Sequence, residues 1–340
     1  MIAIRVDMNN SIATGHMMRC LAIADALRER GVSVIFILAD EQATELLSTH
    51  GYEYIVLHTA WNKMESEIPK LQAYLEGYPI EKVLIDSYQV TEKYLEELSV
   101  LMSTVYLDDL NMFDYHVDTL VCYANYWMKF NYQENQTSTH FLLGTEYTPL
   151  RKAFWNCENK EISDKVSELL ILAGGSDPYD ATGKILEQLV LEEYNRVNVI
   201  CGRYNENYQR LKKAYLDSSE VVVQQAVDDI EEYMKRADVV ISAGGTTLYE
   251  LCAVGTPTIS YAFADNQLDN VMQFAEDDLI DYAGDIRKDD IGDQIRFYLT
   301  RYQKDKELRE VRSRRMQELV DGQGAMRIAK ALIEVERRKK

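Results

Sequence analysis

Short β-branched, apolar runs recur along this chain, each followed by a stretch with helical spacing. That alternation restricts the fold more than any other feature. Residues 2–6, 32–39, 54–57, 82–86 and 104–107 read as strands with little polar–apolar alternation, as in a sheet covered on both faces. The first intervening helical pattern places Met17, Cys20, Leu21, Ala24 and Leu27 on one side and stops at Gly31, a suitable C-cap. A second series follows at 169–173, 196–201, 221–223, 239–241 and 258–261. Strand–helix alternation of this kind implies parallel sheets with right-handed crossovers.

Between the two series, residues 145–165 lapse into a polar stretch containing Pro149, Asn156, Glu158 and Asn159. A linker is expected near 150–165, giving an N-terminal Rossmann-like domain over 1–150 and a C-terminal one over 151–340. The basic helical pattern near 325–338 closes the chain, and packing back on the N-terminal domain is one option for it. At 340 residues the chain has length for both domains.

Charge narrows the ligand class. Lys plus Arg number 37 against 56 Asp plus Glu, a formal net charge of −19. A field of that sign repels nucleic acid and anionic membranes. An anionic ligand must then be held by local devices, helix ends and a few arginines. The five cysteines are scattered without a CxxC pair and read as free thiols of a reducing compartment. A strand is read from the first residues, so no secretory leader is expected, and no apolar run approaches bilayer length. A cytoplasmic protein is expected.

Ligands of open parallel sheets bind where strand ends enter helices. Three such loops stand out. In the third, the apolar run ending at Ile241 leads through Ser242 and Ala243 into Gly244-Gly245-Thr246-Thr247 and a helix. Exposed amides and the helix dipole at such an end attract phosphate. Glu250, one turn in, can accept from a ribose diol. The same segment also fits a glycine turn that only closes a strand–helix unit. The second loop, Ala173-Gly174-Gly175-Ser176-Asp177-Pro178, falls in the same half, so Gly174 and Gly175 join the nucleotide candidates.

The first loop, from Asp7 to His16, belongs to the other half. His16 follows Gly15 at a helix start, with Arg19 one turn on. The positive end of a helix favours the neutral imidazole that a general base needs. A capping, half-buried ring without chemistry is the other reading of it. Asp7 could orient His16 or cap the loop. Tyr88, in Asp86-Ser87-Tyr88 at another strand end, could donate to a sugar or phosphate oxygen or form a rim aromatic. Asp108-Asp109 reads as a turn cap, and Asn266-Gln267 places two amides before a helix.

The remaining histidines form no HxxxH or HxH pair, so neither a metal nor a cofactor is expected. P-loop, GxGxxG and GxSxG motifs are absent, which disfavours ATPase, dehydrogenase and serine-hydrolase chemistry.

Ala13-Thr14-Gly15-His16-Met17-Met18-Arg19-Cys20-Leu21 resembles the GxGHxMRCL element of the PseG-type UDP-sugar hydrolases of pseudaminic acid biosynthesis. Further matches follow in order: Ile85-Asp86-Ser87-Tyr88, Leu107-Asp108-Asp109-Leu110, Leu143-Gly144-Thr145-Glu146-Tyr147 through Arg151, the Gly174–Pro178 loop, the Ser242–Pro257 element, and Ala264-Asp265-Asn266-Gln267. The chain is more distantly similar to MurG-like glycosyltransferases of the GT-B type.

The resemblance implies an α/β, GT-B-like fold, two Rossmann-like parallel-sheet domains facing across a cleft, with UDP on the C-terminal one. It implies hydrolysis of UDP-2,4-diacetamido-2,4,6-trideoxy-β-L-altropyranose without a metal and with inversion. His16 would be the catalytic base, and Tyr88 and Asn266 would face the sugar; Asp7, Gly15, Arg19 and Gln267, read from the loops themselves, complete the expected sugar contacts. Gly174, Gly175, Gly244, Gly245, Thr246, Thr247 and Glu250 would hold the nucleotide. Association with other enzymes of the sugar pathway is an expected partnership; nucleic acid and membrane insertion are not. Two departures stand out: Ala13 replaces the usual Gly, and 120–126 lacks the Asn-rich strand end of many relatives. Some of those relatives are called glycosyltransferases of spore-coat polysaccharide.

Overall fold

The computed structural model describes residues 1–9, 12, 14–75, 77–132 and 139–334; Ala13 lies outside them. The chain divides into two compact units, Met1–Lys152 joined by the segment from Gln323 onward, and Ala153–Gly322.

The first unit runs β1 (Ile2–Val6), α1 (Gly15–Glu29), β2 (Val34–Leu38), α2 (Thr44–Thr49), β3 (Glu53–Val56), α3 (Ile68–Leu75), β4 (Lys82–Asp86), α4 (Glu92–Leu101), β5 (Ser103–Leu107), β6 (Thr119–Cys122) and β7 (His140–Leu143). Its sheet is wholly parallel, ordered β3-β2-β1-β4-β5-β6-β7. The strand order reverses between β1 and β4. Both are buried along their whole length, whereas the edge strands β3 and β7 are half-open.

One buried charge on β1 needs explaining. Arg5 is fully enclosed and donates to Glu67 from Nε and Nη2 (2.7 and 2.8 Å) and to Asp7 from Nη1 (2.6 Å). Tyr94 on α4 also donates to Glu67, at 2.8 Å. A buried guanidinium persists only when its charge and donors are matched, and here they are.

The second unit repeats the plan: β8 (Glu168–Leu172), α5 (Ala181–Gln188), β9 (Arg196–Cys201), α6 (Tyr208–Ala214), β10 (Val221–Gln225), α7 (Ile230–Arg236), β11 (Val239–Ala243), α8 (Thr247–Val254), β12 (Thr258–Ala262), α9 (Asp265–Glu276), β13 (Asp281–Asp285), α10 (Ile291–Lys304) and α11 (Lys306–Leu319). The order β10-β9-β8-β11-β12-β13 reverses between β8 and β11. Ile171, Val199, Ile241 and Ile259 line one face of this sheet's core. The chain then returns to the first unit as α12 (Gly324–Glu334), which packs on α1. Ala325, Ile328, Ala329 and Leu332 are its buried positions, a spacing that puts them on one helix face.

Two helix ends close alike. Gly31 (φ +73°) follows α1 and Gly255 (φ +79°) follows α8. Val32 N donates to Leu27 O and Thr256 N to Leu251 O, each capping carbonyls the helix leaves free.

Three strands fall outside the sequence reading: β6, β7 and β13. The last, Asp-Tyr-Ala-Gly-Asp, looks like a loop because its carboxylates find partners elsewhere. Asp281 accepts from Arg312 of α11, and Asp285 from Arg287. All five cysteines are free thiols, as expected. No helix among the described residues is long and apolar enough to cross a membrane.

Candidate functional site

The register of β1 against β4 pairs Val6 with Asp86, so Asp86 lies beside the end of the strand that leads toward α1. His16, second residue of α1, places Nδ1 2.6 Å from Asp86 Oδ1. Arg19, one turn on, grips the same carboxylate with two donors, Nε to Oδ2 and Nη2 to Oδ1. Burial pushes the Asp86 pKa up, but the Arg19 charge and the hydrogen bonds from Arg19 and His16 outweigh it. The carboxyl is held well below the usual carboxylate range.

An ionised Asp86 fixes the His16 tautomer. In the neutral ring Nδ1 then carries the proton and donates to it, which leaves the lone pair on Nε2. Arg19 Nη2 also approaches Nδ1, at 3.0 Å, because both are donors converging on one oxygen. His16 Nε2 has no hydrogen bond among the described residues, and the side chain is 11% exposed. A ring held this way accepts a proton at Nε2 while the carboxylate stabilises the imidazolium that forms.

Three further groups complete this corner. Arg19 Nη1 donates to Tyr123 Oη (2.6 Å) and Asp109 Oδ2 (3.3 Å). Tyr88 stands edge-on to His16, ring centroids 4.6 Å apart, and its hydroxyl donates to Asp109 Oδ2 at 3.0 Å. Burial and then the Asp109 charge push the Tyr88 phenol far up, so it keeps its proton; burial pushes Tyr123 up to about 12.

Several sequence expectations change here. Asp7 does not orient His16: its oxygens accept from Arg5 and from Ala39 N (2.7 Å), because Asp7 shares the Arg5 side of the chain. Asp86 takes that role. Arg19 is buried, and its guanidinium serves Asp86, Asp109 and Tyr123 rather than standing open to a sugar. Tyr88 spends its one proton on Asp109. Gly15 is exposed at the start of α1, whose N-cap residue Thr14 makes no side-chain cap. Of the two adjacent aspartates, Asp108 caps the turn, accepting from Leu110 N and Asn111 N, while Asp109 joins the corner.

The equivalent reversal in the second unit, β8 beside β11, is built from backbone. Gly244 N continues the ladder to Tyr261 O and Gly245 N turns back on Ala243 O. The glycine amides are therefore spent. Among the described residues the Thr246 and Thr247 amides, at the start of α8, have no acceptor, and no side chain caps that helix. Asn270 of α9, 6% exposed, donates to Gly244 O (3.1 Å) and Gly245 O (3.3 Å) while Tyr249 donates to its Oδ1. Asn270 thus pins the turn, a function missed in the sequence. The available signal was a polar residue on the buried stripe that includes Val271 and Phe274.

Gly174 and Gly175 are exposed after β8, and Tyr204 N donates to Gly175 O. The helix beyond them is closed to anions, since both Asp177 oxygens cap α5 at Ala181 N and Thr182 N. Glu250 is half-buried one turn into α8. Asn266 is exposed at the start of α9. Gln267 instead folds back, its Oε1 accepting from Phe263 N at 3.0 Å, so it caps its own helix rather than offering an amide outward. Glu92, Glu96 and His116 bring ligand atoms within 4.8 Å of one another, but all are exposed and none belongs to either constellation.

Known proteins agree with this architecture. Residues 169–319 match the Glycosyltransferase family 28 C-terminal domain. The uncharacterized protein MJ1062 of Methanocaldococcus jannaschii is 24% identical over 272 residues, 76% of this chain and 54% of that protein. The spore coat polysaccharide biosynthesis protein SpsG of Bacillus subtilis is 24% identical over 145 residues, 42% of this chain and 43% of SpsG. The chain thus spans about half the length of the curated relatives it matches. Across 98% of this chain and 99% of the other, the crystal structure of Acinetobacter baumannii MurG superimposes with a TM-score of 0.69 at 13% identity. The fold is GT-B.

Proposed function

We propose that this chain hydrolyses a UDP-linked sugar, releasing UDP and the free sugar. The observation that carries this reading is the His16–Asp86 pair, an imidazole fixed by a buried carboxylate with its other nitrogen unengaged among the described residues, beside a strand reversal where α/β folds bind ligands. Water loses a proton to His16 Nε2 as its oxygen bonds to the anomeric carbon. The bond from that carbon to the diphosphate oxygen breaks, its electron pair leaves with UDP, and the configuration inverts. The Thr246 and Thr247 amides meet the charge on the diphosphate, and Glu250 accepts from the ribose diol. UDP leaves readily, so no strong general acid is required.

Gly15, Tyr88 and Asn266 are the groups assigned to the sugar. The ordered motifs along the chain support the finer assignment to a diacetamido-trideoxy sugar of pseudaminic acid biosynthesis. A second reading, transfer of the sugar to an acceptor hydroxyl in place of water, draws support from the glycosyltransferase match over 169–319. Incubating the purified chain with the UDP-sugar separates them. Steady UDP release without any acceptor is expected. Intact binding with no release until an acceptor is added would establish transfer instead, and binding with no turnover under either condition would leave a carrier.

A further inference from the structure

A cavity of about 520 Å³ in the second unit belongs to neither strand reversal. It lies between α11 and the stretch 158–164 that leads into β8. Arg309, Ser313 and Gln317 follow one another at four-residue spacing along one face of α11. The outer two fasten that stretch. Gln317 donates to Glu158 O (2.9 Å) and accepts from Lys160 N (3.2 Å), while Arg309 donates to Ser163 O (2.8 Å) and Asp164 O (3.1 Å). Ser313, between the two fasteners, is too small to fill the gap they span.

Three donors line the space. Ser313 is 3% exposed, and its hydroxyl makes no hydrogen bond among the described residues. Lys160 enters from the opposite wall; its Nζ donates to Lys235 O (2.6 Å) and makes no ion pair among the described residues. Burial pushes its ammonium down to about 8. Arg314, next to Ser313 on α11, is exposed and has no carboxylate partner among the described residues.

The charge one turn before Ser313 points the same way. Arg309 is fully buried, yet it meets only the two backbone carbonyls of 163 and 164, and its Nε has no hydrogen-bond partner among the described residues. Buried Arg5 and Arg19 each bind a carboxylate directly, whereas Arg309 has no ion pair among the described residues. A buried cation without a counter-ion is costly, and a negative occupant close by offsets that cost.

We propose that this cavity is a binding site for a phosphate group, carried by a small hydroxylated molecule or free, held by Lys160, Ser313 and Arg314. An ammonium, a hydroxyl and a guanidinium from two elements suit the several acceptor oxygens of a tetrahedral anion. Glu310 and Glu318 share the lining. They repel a second anionic group and can accept from hydroxyls, which favours a singly phosphorylated polyol over a polyanion.

Pyridoxal 5′-phosphate tests the site at the residue itself. Lys160 Nζ adds to its aldehyde with loss of water, and borohydride reduces the imine to a secondary amine that peptide mapping locates. Lys160 is expected to take more label than exposed Lys165 or Lys304. Pyridoxal, which lacks the phosphate, should label Lys160 about tenfold less, so that amine reactivity alone does not mimic the result. Arg314→Ala and Ser313→Ala should each erase most of that difference between the two aldehydes. Arg314 is exposed, so its variant keeps the test open if Ser313→Ala fails to fold.

Glucose 6-phosphate and inorganic phosphate should both suppress labelling of Lys160 and spare the other lysines. Protection by the ester at lower concentration would identify a phosphorylated polyol as the occupant, and equal protection would identify free phosphate. Equal labelling by the two aldehydes, no label at Lys160, or label that neither competitor displaces would overturn the proposal.

Discussion

The two units share one topology and treat the same structural position in opposite ways. At the β1/β4 reversal the strand ends carry side chains: His16, Arg19, Asp86, Asp109, Tyr88 and Tyr123 form a continuous hydrogen-bonded network. At the β8/β11 reversal they carry glycines, and the donors without an acceptor among the described residues are the backbone amides of Thr246 and Thr247. A network of titratable groups can move a proton, whereas amides at a helix start can only hold charge. The difference predicts that chemistry and nucleotide binding separate cleanly by unit.

The most severe test of that separation is His16→Ala. UDP release should fall by about 10²–10⁴-fold, the range for a removed general base, with UDP affinity unchanged. A parallel loss of UDP affinity would break the division of labour.

Asp86→Asn should lower the rate as well, because an amide no longer fixes Nδ1 as a donor. It also exposes an asymmetry in stability. Arg19 would be left buried with its charge poorly matched, a loss of about 3–5 kcal/mol. Asp86 has a depressed pKa, so its contribution is fully present above the unfolded value near about 3.9 and disappears as pH falls toward the folded value. Denaturation should therefore show a wide gap between wild type and Asp86→Asn at pH 6, narrowing below about pH 4. A gap independent of pH would mean that Asp86 stabilises by packing alone.

In the second unit the expected effects are smaller and fall on binding. Glu250→Ala should weaken UDP by about 1–3 kcal/mol if it accepts from the ribose diol. Asn270→Ala touches no ligand but releases the Gly244 and Gly245 carbonyls, so UDP binding should weaken by about 1–2 kcal/mol while turnover of saturated enzyme stays unchanged. Unaltered affinity in both variants would move the nucleotide away from α8.

How much of this was legible beforehand differs between the two sites for a physical reason. Strand cores such as those around Leu84 and Ile241 announce themselves through uninterrupted apolar runs, and the glycine turn after β11 is a local motif. The acidic partner of His16 is not local. Asp7 and Asp86 both end strands, and only the adjacency and register of β1 and β4 bring Asp86 to the imidazole. Tyr88 could be singled out by position, but the direction of its hydrogen bond depends on Asp109, whose neighbour Asp108 is an ordinary turn cap. Asn270 was hidden for the opposite reason: it sits where an apolar residue belongs, and nothing in α9 alone reveals the carbonyls it meets. Polar β13 reads as a loop until Arg312, from a later helix, neutralises Asp281.

The smallest expected effect sharpens the comparison at the helix ends. Gly31 and Gly255 both adopt left-handed backbone, so alanine at either position costs about 1 kcal/mol in conformation. Their surroundings differ. A methyl group at Gly31 would meet nothing within 4 Å, whereas at Gly255 it would fall 2.8 Å from the Gln317 side chain. Gln317 cannot yield freely, because it donates to Glu158 O (2.9 Å) and Ala253 O (3.3 Å) and accepts from Lys160 N (3.2 Å). Gly255→Ala should therefore lose one or more of those bonds and cost about 1–2 kcal/mol beyond Gly31→Ala in urea denaturation. Equal losses would show that α11 adjusts to the added methyl, and that the two helix ends differ in form but not in stiffness.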